Sequence, residues 1–172
     1  MSKSREQLND YLKKIDITGK VVLDIGVQDK PTSGLAKGEF GRYLTMDIDP
    51  QWSADIIGDI NEDPTKWNWE KADKNKDTLG TEDFDVIFCI EVLEHCWNPV
   101  QSVQNMANLC KPGGTVYIST PFINPHHDYY DYLRYTNEWF RDVLPKVGFK
   151  EVIIKERVAT IGLPLLQGFY KM

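Results

Sequence analysis

At 172 residues, with 41% hydrophobic and 12% aromatic side chains, the chain has enough apolar material to bury a core and is not a disordered segment. A net charge of -6 gives no general attraction to nucleic acid or to an anionic membrane. Cys89, Cys96 and Cys110 are odd in number and lack CxxC spacing, which fits reduced thiols rather than a disulfide framework.

No apolar run approaches the roughly 20 residues of a membrane span. Met1-Ser2-Lys3-Ser4-Arg5 leads into no signal-peptide core. A soluble, cytoplasmic protein with no membrane partner is expected, with a single domain over residues 1–172. In chain order, Leu8, Tyr11, Leu12 and Ile15 fall at i, i+3, i+4 and i+7, which predicts an amphipathic helix near residues 4–15. It belongs to an N-terminal segment, residues 1–18, that Thr18-Gly19 ends. Val21-Val22-Leu23-Asp24-Ile25 reads as a strand buried on both faces, and Gly26 lets the backbone turn sharply away from it. Ligands of open α/β sheets bind beyond the carboxyl ends of the strands, so the stretch from Asp24 to Gly34 is the expected ligand loop.

Tyr43–Asp47 and Asp55–Asp59 are two further apolar runs, each closed by an acid. Residues 61–83 read as a polar surface excursion with a short helix, where Trp67 and Trp69 cover apolar surface. Phe84–Cys89 is the next buried strand. Asn98-Pro99 predicts a helix start, with Val100, Val103, Ala107 and Cys110 at helical spacing until Lys111-Pro112-Gly113-Gly114 stops it. Thr115–Thr120 is a strand closed by Pro121, and a His- and Tyr-rich loop over residues 121–136 follows on the substrate side. Thr136 caps a helix whose core face is Phe140, Val143, Leu144 and Val147, bent by Pro145. Glu151–Lys155 and Gly168–Met172 are the last two strands. The alternation predicts an α/β fold, doubly wound, with a mostly parallel sheet.

Asp24, Asp47 and Asp59 each end a strand-like run, and Asp47 follows Asp24 at close to the offset where an acid meets a ribose. The G-x-G-x-x-G loop that cradles a pyrophosphate is absent, and Asp29 would repel one. An acid-lined pocket instead suits a ligand with adenosine and positive charge.

On these motifs the chain resembles the class I S-adenosylmethionine-dependent methyltransferases, of the small subgroup often found with glycan and surface-polysaccharide genes. The resemblance spans roughly residues 20–155. It rests on Val22–Gly26, Asp47-Ile48-Asp49-Pro50, Gly58-Asp59-Ile60, Phe84–His95, Leu109–Gly114 and Ser119–Phe122 in that order. It implies a Rossmann-like, seven-stranded sheet with helices on both faces, and S-adenosyl-L-methionine as cofactor. Gly26 with Asp24, Val27 and Gln28 then meets the methionine part. Asp47 with Ile48 holds the ribose, Asp59 with Ile60 the adenine, and Cys89-Ile90 floors the pocket. The family's usual glycine is missing at Gln28.

Glu91-x-x-Glu94-His95 and the loop histidines His126 and His127 are the reactive candidates. A hydroxyl acceptor needs its proton removed or its oxygen polarised by a metal. His95, His127 and Glu91 are candidate catalytic groups. By resemblance to metal-dependent RNA 2′-O-methyltransferases and some ubiquinone-pathway enzymes, Glu91, Glu94, His95 and His127 are candidate ligands for a divalent metal, although a metal is not the expected case. Residues His126–Thr136 suit a sugar or another hydroxylated acceptor, or else pack beneath the following helix with Arg134 paired to Asp131 or Asp128. The resulting expectation is O-methylation of a small-molecule or glycan acceptor. RNA-ribose 2′-O-methylation and a non-catalytic cofactor-binding module of the same fold are the alternatives, and a homodimer is left open.

Overall fold

The computed structural model describes residues 2–28, 32–69, 72, 84–158, 164–165 and 168–171. Helix α1 (Lys3–Leu12) is capped by Ser2, whose hydroxyl accepts from the Arg5 amide, and it buries Leu8 and Leu12. It ends earlier than the apolar spacing suggests. Ile15 and Ile17 remain buried, but their backbone groups pair with Lys37, and this draws the chain out of helical geometry.

The main sheet runs in the order β3 (Ile56–Ile57), β2 (Arg42–Asp47), β1 (Val21–Ile25), β4 (Phe84–Ile90), β5 (Cys110–Ser119), β9 (Gly168–Lys171) and β6 (Glu151–Ile154). The first five are parallel, and β9 enters antiparallel between β5 and β6. Strands β7 (Arg157–Val158) and β8 (Pro164–Leu165) form a separate ribbon. The order reverses between β1 and β4, which is where an open α/β sheet leaves a crevice.

Helices cover both faces. The α1 side packs Leu8, Leu12, Ile15 and Ile17 on Val22, Val86 and Phe88. Helices α2 (Pro99–Leu109) and α3 (Asn137–Val143) pack the other side, with Val103, Met106 and Phe140 against Leu23, Ile87 and Val116. Asn98 and Thr136 cap them as the sequence predicts, accepting from Gln101 N and Trp139 N. After Val143 the chain tightens into a 3-10 turn, Leu144–Val147, around Pro145. Trp67 and Trp69 are buried and stacked on each other at the edge of β3. Most of the polar excursion expected before β4 lies outside the described residues.

Two readings are corrected. Val100 is exposed, because the buried face of α2 turns toward Ser102, Val103, Asn105, Met106 and Leu109. Polar contacts set that rotation: Ser102 Oγ donates to Asn61 Oδ1, and Asn105 Nδ2 donates to the Ile60 and Glu62 carbonyls. Cys110 does not continue the helix. It starts β5 opposite Phe84, and a register shift before Val86 absorbs Pro112-Gly113-Gly114. Among the described residues, no helix is long and apolar enough to cross a membrane.

Asp24 ties β1 to its surroundings. Its carboxylate accepts from Thr32 N, Thr32 Oγ1 and Tyr43 OH, which ties the far end of the expected ligand loop to β1 and β2. Burial outweighs those donors and pushes its carboxyl up to about 6. A carboxyl raised above its unfolded value stabilises the fold in its protonated form, so this contribution fades as pH climbs from about 4 to about 6. Thermal melts of Asp24→Asn, read against pH, are expected to lack this part of the decline that the parent protein shows.

Candidate functional site

The carboxyl ends of β1, β2 and β3 lie side by side, with Ile25 opposite Met46 and Asp47 opposite Ile57. Asp24, Asp47 and Asp59 therefore share one rim of the sheet. The backbone turns away from that rim through left-handed conformations at Gly26 (φ 70°), Gln28 (φ 48°) and Glu91 (φ 57°). At Gly26 a side chain has no room: a Cβ there would sit 2.4 Å from Val92 Cγ2. Backbone therefore forms the wall of the crevice at this point.

Two cavities meet at Ile25 and Gly26. The wider, about 510 Å³, is bounded by Asp24, Val27, Gln28, Ile90 and Glu91, with Arg5 and Asn9 reaching in from α1. The narrower and more apolar, about 100 Å³, is bounded by Asp47, Ile48, Asp59 and Ile60, with Val92, His95 and Cys96 opposite. Together they form one groove over the carboxyl rim.

Asp47 is buried and accepts from the amides of Gln28 and Asp49 at 3.1 and 3.0 Å. Gln28 thus takes the left-handed conformation a glycine would adopt and still aims its N–H at the acid. Asp29-Lys30-Pro31 lies outside the described residues. Asp59 accepts from the backbone and side-chain amides of Asn61, and its carbonyl accepts from the Trp67 indole. Trp67 also fills the space a Cβ on Gly58 would need. Cys89 is fully buried in the sheet core, where burial pushes its thiol well up, and the wall is carried by Ile90.

The Glu91-x-x-Glu94-His95 segment divides. Glu91 Oε1 accepts from Ser119 Oγ at 2.7 Å and from Arg157 Nη2 at 2.8 Å, so this acid turns toward β5 and β7. It does not join the other candidate ligands. Glu94, in a 3-10 turn at Leu93–His95, is fully buried, and neither of its carboxyl oxygens has a hydrogen-bond partner. Burial, with the Glu91 charge nearby, lifts its carboxyl to about 8. One atom each from Glu94, His95 and His127 lies within 4.8 Å of the others. The two imidazole centroids are 5.1 Å apart.

The loop over residues 121–136 is held down by the main chain of Glu94, whose carbonyl accepts from Tyr132 N and Leu133 N. Its two halves differ. Tyr135 is buried with its hydroxyl donating to the Leu93 carbonyl at 2.7 Å, and Arg134 pairs with Asp131. Tyr129, Tyr130 and Tyr132 are exposed, with neighbouring ring centroids 4.9 and 6.1 Å apart. The sequence reading missed Arg5 and Asn9, whose i, i+4 polar spacing beside the Leu8–Leu12 stripe was the available signal. It also missed Arg157, which no local pattern connects to Glu91.

The methyltransferase-domain family model matches residues 2–147. Ubiquinone biosynthesis O-methyltransferase of Coxiella burnetii strain RSA 493 is 29% identical over 138 residues, 78% of this chain and 56% of that protein. The Nitrosospira multiformis protein of the same name is 34% identical over 113 residues, 63% of this chain and 46% of that protein. The chain spans about half the length of these curated relatives. Among solved structures, a SAM-dependent methyltransferase from Archaeoglobus fulgidus superposes with a TM-score of 0.61 at 20% identity, covering 90% of this chain and 70% of that one. Burkholderia thailandensis 1,6-didemethyltoxoflavin-N1-methyltransferase, solved with S-adenosylhomocysteine, gives a TM-score of 0.61 at 16% identity, covering 98% and 76%.

The groove's narrowest requirement is testable. Gly26→Ala is expected to lose about 1–2 kcal/mol from the left-handed backbone alone, plus a steric cost against Val92. Denaturant melts of Gly26→Ala with and without Val92→Ala separate the two, since the second change relieves only the clash.

Proposed function

The chain belongs to the class I S-adenosylmethionine-dependent methyltransferases, and on that premise we propose that it methylates a hydroxyl of a small acceptor such as a sugar or glycan precursor. The observation that carries this reading is the position of His95. It lines the narrow half of the groove and also belongs to the Glu94–His127 cluster, so a cofactor site and a proton-accepting site share a wall.

The groove fits S-adenosylmethionine on its own terms. A wall of bare backbone at Gly26 admits a close ligand, and the acidic rim favours a cationic one over a phosphate. Asp47 would hold the ribose, and Ile48, Asp59 and Ile60 would bound the adenine. Gly26, Val27 and Gln28 would meet the methionine part, with Arg5 and Glu91 on the polar side of the wider cavity. The bound cofactor supplies an electrophilic methyl carbon on a sulfonium.

The protein's own contribution is placement and proton handling. Holding the acceptor oxygen in line with the groove supplies much of the rate of such a displacement. His95 or His127 takes the hydroxyl proton, and the exposed Tyr129, Tyr130 and Tyr132 rings offer faces for a sugar ring. The O-methyltransferase relatives support hydroxyl as the acceptor group.

A second reading has its own support. A fully buried Glu94 with two unpartnered oxygens beside two imidazoles also suits a divalent cation. Glu94, His95 and His127 would hold it, without Glu91, and it would polarise the acceptor oxygen.

Calorimetry with S-adenosylhomocysteine is expected to show binding, and Asp47→Ala to weaken it about 10- to 100-fold, the worth of hydrogen bonds to a charged group. Unchanged affinity would mean that Asp47 does not hold the ribose. A screen of labelled methyl transfer onto sugars, nucleotides and phenols identifies the acceptor. With it in hand, His95→Ala and His127→Ala are each assayed, and the residue acting as base is expected to cost at least about 100-fold in turnover. Turnover that is equal with and without a chelator removes the cation reading; loss restored by Mn²⁺ replaces the base reading with it.

A further inference from the structure

We propose that Asp131 is a positioning residue that fixes His127 as the Nδ1-protonated tautomer, so that the free lone pair of the ring is on Nε2. The inference rests on the reading that this cluster handles the acceptor hydroxyl. It adds which atom does so and what sets it.

Asp131 lies in an otherwise open loop, yet its side chain is only 1% exposed. Arg134 grips it through both terminal nitrogens, Nη1 to Oδ1 and Nη2 to Oδ2, the latter at 2.7 Å. The same guanidinium donates to the Leu133 and Asn124 carbonyls, so it ties together the two ends of the loop that carries His127. A carboxylate held in this fork stays ionised and only accepts. Its Oδ2 receives the His127 backbone N–H at 3.3 Å and stands 3.1 Å from His127 Nδ1. A lone pair on Nδ1 would face that carboxylate oxygen, so the contact favours the tautomer with the hydrogen on Nδ1. In a neutral imidazole the lone pair is then on Nε2.

Asn124 Nδ2 stands 3.3 Å from the same Nδ1, where a donor calls for the opposite tautomer, so the proposal requires the Asn124 amide flipped, with its oxygen toward the ring. His95 Nδ1 lies 3.2 Å from the Tyr130 carbonyl, a group that can only accept, so His95 also carries its hydrogen on Nδ1. Its Nε2 lies 3.8 Å from Glu94 Oε1. One short segment, Tyr130–Asp131, thus orients both imidazoles the same way. Outer partners of this kind fix ring orientation in hydrolase triads and in metal sites alike.

Nitrogen-15 spectra of the full chain with labelled histidine read the tautomer directly, without cofactor or metal. Only His95, His126 and His127 contribute signals. At a pH where the rings are neutral, His127 is expected to show a pyrrole-type Nδ1 and a pyridine-type Nε2. A protonated Nε2 in the parent protein overturns the proposal, with no variant needed. In Asp131→Asn the single amide oxygen is expected to stay with Arg134, turning the NH₂ toward His127 and reversing its tautomer. A folded variant with an unreversed His127 also overturns the proposal, since a purely structural clasp would leave the ring as it was. Turnover of that variant on an acceptor found by screening is expected to fall about 10- to 100-fold, with S-adenosylhomocysteine affinity unchanged. If the tautomers are as stated but His127→Ala keeps full turnover, it is the hydroxyl-handling role that fails and not the positioning.

Discussion

The site depends on how the chain leaves the sheet. At the carboxyl rim, three residues adopt left-handed backbone: Gly26 after β1, Gln28 two residues on, and Glu91 after β4. Such conformations are disfavoured for a side-chain-bearing residue and persist only where the surroundings over-determine them. Here they do. Gly26 N–H donates to the Met46 carbonyl, Gln28 N–H to Asp47, and Glu91 N–H to the Ser119 carbonyl. Each turn is thereby stitched to the neighbouring strand. The groove is the space left when β1 and β4 turn away from each other at the point where the strand order reverses.

The carboxylates around that groove are managed one by one. Asp24 is buried among Thr32 and Tyr43, Asp47 collects two backbone amides, Asp59 takes Asn61, Glu91 takes Arg157 and Ser119, and Asp131 takes Arg134. Glu94 is different. A buried carboxyl that accepts no hydrogen bond is costly in its charged form, and burial with the Glu91 charge nearby carries its protonation into the neutral range. Its backbone carbonyl holds the 121–136 loop while its side chain waits beside two imidazoles. Structural anchoring and chemical potential thus reside in one residue.

What could be read from the sequence was local. Apolar runs ending in acids marked β1, β2 and β3, a plain apolar run marked β4, and Asn98 and Thr136 marked their helix starts, because strand burial and capping are decided within a few residues. Val100 misled because the rotation of α2 is set by Ser102 and Asn105 meeting the Asn61 side chain and the Ile60 carbonyl, some 40 residues away. Glu91 misled for the same reason: Arg157 lies 66 positions downstream. The motif Glu91-x-x-Glu94-His95 looks like one ligand set on paper. The left-handed turn at Glu91 and the 3-10 turn at Leu93–His95 send its two acids to different surroundings, Glu91 to Ser119 and Arg157 and Glu94 to the two imidazoles.

Gln28 shows how a departure in sequence can leave a backbone geometry intact. Glycine is usual at that point because the backbone must reach φ near +50° and present its amide to the acid of β2. Gln28 reaches φ 48° and donates to Asp47 at 3.1 Å, so the geometry is kept and only a modest conformational cost is added. The groove and the cluster then have separate origins: the sheet rim shapes the first, whereas the second needs the loop that Glu94, Asp131 and Arg134 hold in place.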